Sequence, residues 1–481
     1  YAQALKMIEE MINSTDAFVP VRLSLDHGEL LFAVGRVDEA IAAMEDVANR
    51  YPEPANTLEL ALMHQYRGHT DQYEQKLRYA ASQARPYMWR YSRRDDNYVA
   101  MGRIAELLGE NPRTILNTHF KVLLEQNPGM TKAHIGAGDL AYRNAGYDIA
   151  AGHYEKALEQ EPENQDALAG LAECFWQSHD ERLGATLQKL LDLNSHHPRA
   201  KALQVEQRLD SADADEALKT IEEALAINPV SLRFRSLKAA ALFLKRETAA
   251  MQALQQEVLE FNPICSEVYR VPGRIASRHY LFEEGSALQK AALELDPNDH
   301  DARALYTLDL MRLGREFEGQ AEAEIAFAAD PFNVQLYNLL QLMETVDGFS
   351  VRENGEFILK LPKNEEPLIA DDASRMLAYA IEHLQKKYEV EIEKPVLVEM
   401  FDKHDDFMVR SVGLPGNVGH LGICFGKLVT MDSPSARPRG SWNWRTVLWH
   451  EFMHVISLQK TKNKMPRWLS EGISVYEEGQ Y

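Results

Sequence analysis

The sequence predicts a mostly α-helical protein built from an α-solenoid over residues 1–345 and an α+β domain over residues 346–481. Three observations lead to this prediction. Prolines recur about every 34 residues along the first part, a strand–turn–strand pattern follows Thr345, and a two-histidine motif lies in a helix of the second part. The first part is therefore expected to be repetitive, and the second part to carry the chemistry.

The composition is that of an ordinary globular protein and excludes several classes of function. Of the 481 residues, 45% are hydrophobic and 26% are charged. The 52 Lys and Arg residues face 73 Asp and Glu residues, and the net charge of −21 would repel phosphate backbones. Nucleic-acid binding is therefore not expected. No apolar run reaches the roughly 18 residues of a membrane helix, so no membrane span is expected in this chain.

The cysteines and the start of the chain carry less information. Cys174, Cys265 and Cys424 are scattered and odd in number, so they predict neither a disulfide framework nor a CxxC metal site. The chain begins with Tyr1, and no basic and then apolar segment precedes the first helical pattern. We therefore expect a processed or truncated piece of a longer chain.

Seven prolines close amphipathic helical stretches and recur with nearly constant spacing. Their successive separations are 34, 36, 31, 34, 34 and 34 residues. A period of 34 is that of a helix–turn–helix unit, with each proline where one unit ends and the next begins. The prolines are Pro128, Pro162, Pro198, Pro229, Pro263, Pro297 and Pro331.

Small residues lie where the two helices of one unit must approach closely. Gly138 lies on a first helix, and Ala150 and Ala157 lie on the second, with Tyr154 between them. These residues resemble the tetratricopeptide repeat family, and the resemblance covers about residues 1–345. The alternative, helical hairpins without a regular superhelix, is disfavoured by the constant period.

The resemblance implies a protein-binding role for the repeats. Stacked hairpins of this family curve and expose a concave face, which binds peptides or partner proteins. Charges such as Arg233, Arg235 and Lys238 either line that groove or belong to solvated helix faces, and the second reading is preferred. A purely architectural role for the repeats stays open.

After residue 345 the helical period gives way to a mixed pattern. Asn354-Gly355 is a two-residue turn signal between alternating apolar residues, which predicts a β-hairpin. Further elements follow it in order: a helix over 371–388, a strand over 395–401, a glycine-flanked strand over 422–431, a helix over 443–460, and a last helix beginning near Pro466.

The helix over 443–460 contains an HExxH motif. His450 and His454 are four residues apart and therefore lie on one helix face, where both imidazoles can bind one zinc ion. Glu451 lies beside them, where its carboxylate can accept a proton from a water at the metal as a general base. The motif alone is moderately specific. The alternative is a pair of histidines that are merely packed or capped.

A carboxylate on the next helix can complete the site. The segment WLSEGISVYEE contains Glu471, and a His, His, Glu set leaves one position open, as in catalytic zinc sites. The two motifs together resemble the gluzincin metallopeptidases, and most closely the peptidase MA-like domains that bacteria append to tetratricopeptide repeats. The resemblance implies that His450, His454 and Glu471 bind Zn2+ and that Glu451 is the catalytic base. It also suggests an extracytoplasmic bacterial location.

The sequence departs from this family at three points. The gap between His454 and Glu471 is slightly short, and Val475 stands where related enzymes carry an outer carboxylate. The chain also ends ten residues after Glu471, before the position of the usual oxyanion-stabilising Tyr or His. Tyr476, Tyr481 and His420 are available, but none is assigned. We therefore expect a cleft that is incomplete at its C-terminal side.

The strand over 422–431 is expected to form the edge of the cleft, because the resemblance implies pairing with an extended substrate there. Gly422 and Gly426 either permit close approach of that substrate or mark only a bulge or tight packing, and both readings stay open. Cys424 is expected to be a buried apolar residue and not a metal ligand. The four tryptophans around the motif are expected to pack in the core, with a substrate pocket as the alternative: Trp442, Trp444, Trp449 and Trp468.

Together these features predict a zinc-dependent metallopeptidase that cleaves a peptide or protein substrate, with repeats that recruit the substrate or a protein partner. One alternative is a repeat scaffold whose peptidase-like domain is inactive. A second is a zinc hydrolase that acts on a non-peptide substrate, which the sequence does not exclude.

Overall fold

The computed structural model describes residues 1–14, 19–87, 95–331, 333–416 and 419–480. Packing of the backbone divides the chain into two compact units, Tyr1–Pro272 and Gly273–Tyr481. Among the described residues, every helix is too short or too polar to form a transmembrane span.

Antiparallel helical hairpins follow one another along the chain up to Val346. The helices are α1 (Ala2–Asn13), α2 (Val21–Ala33), α3 (Val37–Arg50), α4 (Pro54–Arg67), α5 (Thr70–Tyr87), α6 (Asp95–Leu107), α7 (Pro112–Ile115), a π-helix (Leu116–Phe120), α8 (Lys121–Gln126), α9 (Thr131–Arg143), α10 (Tyr147–Gln160), α11 (Gln165–Gln177), α12 (Leu183–Leu193), α13 (Pro198–Asp210), α14 (Ala214–Ile227), α15 (Leu232–Leu244), α16 (Thr248–Phe261), α17 (Glu267–Arg278), α18 (Phe282–Leu295), α19 (His300–Arg312), α20 (Glu316–Ala329) and α21 (Val334–Val346).

Tyr154 shows why small residues are needed between these helices. Its fully buried ring lies between Gly138 on α9 and Gly170 on α11. A Cβ atom at Gly138 would lie 2.8 Å from the ring, and one at Gly170 would lie 2.2 Å from it. The hydroxyl of Tyr154 donates a 2.6 Å hydrogen bond to Asp139. The sequence-based placement of Gly138 and Tyr154 at a close helix contact is confirmed.

Gly170→Ala is expected to lower the free energy of unfolding by about 1–3 kcal/mol, because the added methyl group overlaps the ring of Tyr154. Gly152→Ala on α10 is the matched control. A Cβ atom there meets nothing within 4 Å, so helix propensity should make this variant more stable by up to ~1 kcal/mol. Urea titration of both variants measures the difference. Equal stabilities would show that this contact is not tight.

Two of the three charges considered for a binding groove, Arg233 and Lys238, form ion pairs with neighbouring helices. Arg233 on α15 forms ion pairs with Glu206 on α13 and, at 3.0 Å, with Glu267 on α17. Lys238 lies 2.7 Å from Glu222, and the guanidinium of Arg235 donates to a backbone carbonyl. The side chain of Arg233 is 40% exposed, so the preferred interpretation of a solvated helix face stays open for it. Its charge is neutralised between consecutive repeats.

The second unit contains a five-stranded sheet with strand order β1-β2-β3-β5-β4. The β1/β2 and β4/β5 pairs are antiparallel, whereas β2/β3 and β3/β5 are parallel. The elements after the repeats are β1 (Ser350–Glu353), β2 (Phe357–Leu361), α22 (Glu366–Tyr388), β3 (Val396–Phe401), α23 (His404–Val412), β4 (Gly422–Cys424), β5 (Leu428–Asp432), α24 (Trp444–Thr461) and α25 (Arg467–Glu478).

Helices cover both faces of this sheet, and all residues of the central strand β3 are buried. One face packs against α22 and α24 through a large apolar cluster that includes Val398 and Phe452. The other face packs against α21 and α23, and Met311 at the end of α19 joins that cluster. The last repeat therefore belongs to the same compact unit as the sheet.

The predicted elements of this unit are largely found, with two corrections. The β-hairpin turns at Gly355, which has a φ of +81°. Helix α22 begins five residues before the predicted start at 371, with Pro367 in its first turn. The strand predicted over 422–431 is a hairpin of β4 and β5, because Gly426 has a φ of +93° and turns the chain.

A buried group of charges connects α20, α23 and the sheet. The guanidinium of Arg410 on α23 is fully buried and lies 2.7 Å from Glu399 on β3 and 3.3 Å from Glu316 on α20. Glu316 also forms an ion pair with Lys360 on β2. Arg410 donates a further hydrogen bond to the carbonyl of Met311 at 3.2 Å. The last repeat is thus attached to the sheet through buried polar contacts.

Candidate metal centre

Two helices carry the candidate ligands. Helix α24 begins after Asn443, whose side chain accepts a hydrogen bond from the amide of Arg445, and it presents His450 and His454 one turn apart. Helix α25 follows after a short turn and begins after Pro466. It packs against α24 and carries Glu471 to the two histidines.

The three residues that the sequence predicts as ligands converge. The Nε2 atoms of His450 and His454 are 3.1 Å apart, and Glu471 Oε2 lies 3.4 Å from the first and 3.5 Å from the second. Ligand atoms of these residues all lie within 4.8 Å of one another, the one such group of three or more found in the described parts of the chain. The sequence-based grouping therefore matches the geometry.

The donor set fits zinc in its chemistry and its spacing. Zinc in proteins takes imidazole nitrogen and carboxylate oxygen at about 2.0–2.2 Å in a tetrahedral arrangement, which puts neighbouring ligand atoms about 3.3–3.5 Å apart. The observed separations of 3.1, 3.4 and 3.5 Å agree with this spacing. Three protein ligands leave a fourth position for water or substrate.

The other ring nitrogen of each histidine contacts a group that sets its orientation. Nδ1 of His450 lies 2.5 Å from Glu478 Oε1, and Nδ1 of His454 lies 2.8 Å from Ser470 Oγ. With Nδ1–H as the donor in both contacts, the Nε2 lone pairs are directed towards a metal. Burial and the neighbouring His450 lower the pKa of His454 to about 4, which keeps its imidazole neutral.

Glu478 provides the outer carboxylate for which the sequence analysis found no residue. The sequence lacks an acid at Val475, and the structure supplies one a turn later, seven residues after Glu471 on the same helix face. Residues seven apart lie on the same face of a helix, so the spacing of Glu471 and Glu478 on α25 could have indicated this contact from the sequence. Neither Glu478 nor Ser470 was identified from the sequence.

Removing the Glu478 carboxylate is expected to weaken zinc binding by roughly 10–100-fold, because His450 loses the acceptor that sets its orientation and basicity. Glu478→Ala should show the full loss and Glu478→Gln a smaller one, since the amide oxygen can still accept a hydrogen bond. Competition with a chromophoric zinc chelator measures both constants. Unchanged affinity in Glu478→Ala would contradict the assigned role.

The predicted base is buried beside the ligands. Glu451 is 6% exposed, and a Cβ atom at Gly422 would lie 2.6 Å from its Cγ. Gly422 therefore allows tight packing of β4 on Glu451, the second of the two readings that the sequence left open. Burial raises the pKa of Glu451 to about 8, and the negative charges of Glu471 and Glu478 add to this rise. A cation among these groups would lower that pKa.

Strand β4 forms one edge of the sheet directly beside Glu451. Its pairing partner is β5, and the amide of Phe425 and the carbonyl of Leu421 bond towards that strand. Backbone groups alternate along a strand, so the peptide groups of Gly422 and Cys424 face away from β5. Cys424 is buried, as expected, and its Sγ accepts a hydrogen bond from the amide of Gly426.

The described residues that were left unassigned for oxyanion stabilisation make other contacts. Tyr476 is 58% exposed on α25, with the ammonium of Lys387 5.4 Å from its ring. The carbonyl of His420 accepts a hydrogen bond from Arg437. Tyr481 lies outside the described residues.

The core prediction for the tryptophans is correct for three of the four. Trp449 is buried, and Trp442 and Trp444 pack partly buried against the same core. Trp468 is 74% exposed on α25, so its assignment to the core is wrong. The first turn of α25 lies at the surface, and this turn carries Trp468.

A family model described as tetratricopeptide repeat matches residues 135–184. Within this range the chain carries tetratricopeptide repeats, which supports the sequence-based interpretation of the 34-residue period there. Repeats of this kind act as protein-interaction scaffolds. No curated protein matches the sequence of this chain.

Solved structures resemble the chain at low identity. A tetratricopeptide repeat protein from Parabacteroides merdae is 17% identical and covers 53% of this chain and 99% of its own, with a TM-score of 0.38. The Cut9-Hcn1 hetero-tetramer of APC/C is 11% identical, covering 67% of this chain and 75% of its own, with a TM-score of 0.36. The human IFIT1 dimer with PPP-AAAA is 13% identical, covering 75% of this chain and 81% of its own, with a TM-score of 0.37. Similarity at this level carries no argument about the chemistry of the metal centre.

Proposed function

We propose that this chain is a zinc-dependent metallopeptidase whose tetratricopeptide repeats bind a protein substrate or partner. The observation that carries the proposal is the convergence of His450, His454 and Glu471, with the buried Glu451 carboxylate beside them. His450, His454 and Glu471 would hold the ion. A bound zinc ion would polarise the scissile carbonyl and lower the pKa of a water.

The protein groups around that position have separate tasks. Glu451 accepts the proton of the attacking water and returns it to the leaving amine, so one carboxylate acts first as base and then as acid. Its burial beside Gly422 favours proton exchange near neutral pH, because the carboxylate is poorly solvated there. Glu478 and Ser470 hold the imidazoles of His450 and His454 in the orientation that zinc binding requires.

The edge of β4 that faces away from β5 supports a peptide as the substrate. Peptide groups of Gly422 and Cys424 face away from β5, and an extended chain can pair with such an edge through main-chain hydrogen bonds. Gly422 touches Glu451, so a peptide paired there would pass directly in front of the base. Main-chain pairing would hold the peptide largely independently of its side chains.

A second candidate is a protein-interaction scaffold with an inactive peptidase-like domain. The family model that matches residues 135–184 favours it, because that match concerns the repeats alone. The two candidates agree on protein binding and differ on turnover. They are therefore separated by measuring metal content and peptide cleavage in the same preparation.

The test uses the purified full chain. We expect about one zinc per chain by mass spectrometry of the metal, and cleavage of a peptide library at bonds identified by mass spectrometry. Dialysis against a chelator should abolish cleavage, zinc should restore it, and magnesium should not. Zinc binding without cleavage of any library member would favour the scaffold. Cleavage that persists after metal removal would overturn the zinc mechanism.

A further inference from the structure

Positive charges follow the candidate base along the chain. Residues 452–470 contain Lys460, Lys462, Lys464 and Arg467 and include neither Asp nor Glu, although the whole chain has a net charge of −21. All four of these side chains are exposed. A local excess of positive charge in an acidic protein favours binding of an anion at that place.

Arg467 is the cation of this segment that contacts the candidate metal centre. It is the first residue of α25, and Glu471 lies one turn further along the same helix. The guanidinium Nε atom of Arg467 lies 3.5 Å from Glu471 Oε1. The other carboxylate oxygen, Oε2, lies 3.4 Å from His450 and 3.5 Å from His454. The two oxygens of this candidate ligand therefore have different partners, the guanidinium and the pair of imidazoles.

The Arg467 side chain can bind a further group. It is 80% exposed, and its 3.5 Å contact with Glu471 is longer than a hydrogen bond of about 2.7–3.2 Å. Exposed ion pairs of this kind are weak. A guanidinium has five N–H donors in a planar fork that matches a carboxylate through two parallel hydrogen bonds. A second carboxylate can therefore bind the terminal nitrogens while Nε stays beside Glu471.

A peptide held on β4 would bring some of its side chains towards this guanidinium. Gly422 packs on Glu451, so a peptide paired with β4 passes the candidate base. Side chains of an extended peptide point alternately to the two faces of the sheet. Helix α24 packs on one of these faces, and Ile473 of α25 packs against the same apolar cluster. Substrate side chains on that face would approach α25, which carries Arg467.

We propose that Arg467 determines substrate specificity by binding a carboxylate of the peptide close to the scissile bond. The proposal rests on the proposed peptidase function and adds the class of substrate. The carboxylates of Glu451 and Glu478 repel an unpaired anion at this place, so its binding depends on the guanidinium. The substrate carboxylate comes from an Asp or Glu side chain or from the C-terminus of the peptide, which offer the same chemistry to Arg467.

Matched peptide pairs test the proposal and distinguish the two sources. In one series Glu is replaced by Gln at each position near the cleaved bond, and in the other a free C-terminus is replaced by an amide. We expect wild-type kcat/KM to be about tenfold higher for the carboxylate member of one pair. A preference for Glu over Gln identifies a side chain, and a preference for the free acid over the amide identifies the C-terminus.

Variants of Arg467 show whether this residue causes the preference. Arg467→Gln should bring the ratio of the two kcat/KM values to about one, and Arg467→Lys should keep part of it, because an ammonium group retains the charge without the fork. Partial loss of zinc lowers both rates equally and leaves the ratio unchanged. Arg375→Gln is the matched control, since Arg375 is 74% exposed and also pairs with a carboxylate of its own helix. A wild type without preference, or an unchanged ratio in Arg467→Gln, would overturn the proposal.

A binding measurement separates this proposal from the peptidase function itself. Peptide hydroxamates bind a zinc-loaded chain without turnover, and fluorescence anisotropy gives their affinities. The pairs carry Glu or Gln, or a free or amidated C-terminus, next to the hydroxamate. We expect wild type to bind one carboxylate member about tenfold more tightly than its amide counterpart, and Arg467→Gln to bind both equally.

The two measurements fail in different ways. If wild type cleaves no peptide yet shows the difference in hydroxamate affinity that depends on Arg467, the peptidase function fails and carboxylate binding by Arg467 stands. If wild type cleaves peptides and binds both members of every pair equally, the peptidase function stands and the role of Arg467 is overturned. Binding of no hydroxamate would also overturn the role of Arg467.

Discussion

Glu451→Gln is expected to reduce kcat for peptide cleavage by about 10²–10⁴-fold while zinc stays bound. The amide has nearly the shape of the carboxylate, so it fits the space between α24 and Gly422. It cannot accept a proton from water at neutral pH, and this loss removes the general base. His450, His454 and Glu471 are unchanged in this variant, so the metal content should remain at the wild-type value.

The measurement pairs metal analysis with initial rates on a peptide that the wild-type chain cleaves. Glu382→Gln is a suitable control, since Glu382 is an exposed residue of α22 and the same substitution there should change neither quantity. Activity equal to wild type in Glu451→Gln would remove Glu451 from the mechanism. Absence of zinc from both proteins would remove the mechanism altogether.

The grouping of the three candidate ligands could be predicted from the sequence because their geometry is local. Residues four apart on a helix share a face, so His450 and His454 follow from the motif alone. Glu471 follows from a short turn between two adjacent helices. The 34-residue period is equally local, since each repeat packs mainly on its neighbours.

Other parts of the site depend on pairings between distant segments, which the sequence pattern does not encode. The contact of Gly422 with Glu451 requires β4 to lie at the edge beside β5. The division of the predicted 422–431 strand depends on the positive φ of Gly426, which alternation of apolar residues does not reveal. Asn463, just after α24, donates a hydrogen bond to the carbonyl of Tyr280, which lies 183 residues earlier in the sequence.

The second large effect is expected at Arg410. Arg410→Met should lower the free energy of unfolding by about 3–5 kcal/mol, because it removes one partner from a fully buried group of charges. Burial raises the pKa of Glu399, so its carboxyl carries a proton. The pKa of Glu316 is lowered despite its burial, because Glu399 donates a hydrogen bond to it and Arg410 and Lys360 lie beside it. Loss of Arg410 therefore leaves the Glu316 charge with Lys360 alone.

Two further variants make this prediction specific. Glu399→Gln should cost less than about 1.5 kcal/mol, since an amide can replace a protonated carboxyl as a donor. Arg375→Met removes an exposed arginine whose pair with Asp372 is solvated, and it should cost less than ~1 kcal/mol. Urea titration followed by tryptophan fluorescence reports mainly on this unit, which holds four of the six tryptophans. Glu399→Gln could instead lower the free energy of unfolding as much as Arg410→Met does. Glu399 would then be ionised, and the attachment of the last repeat would depend on two buried negative charges instead of one.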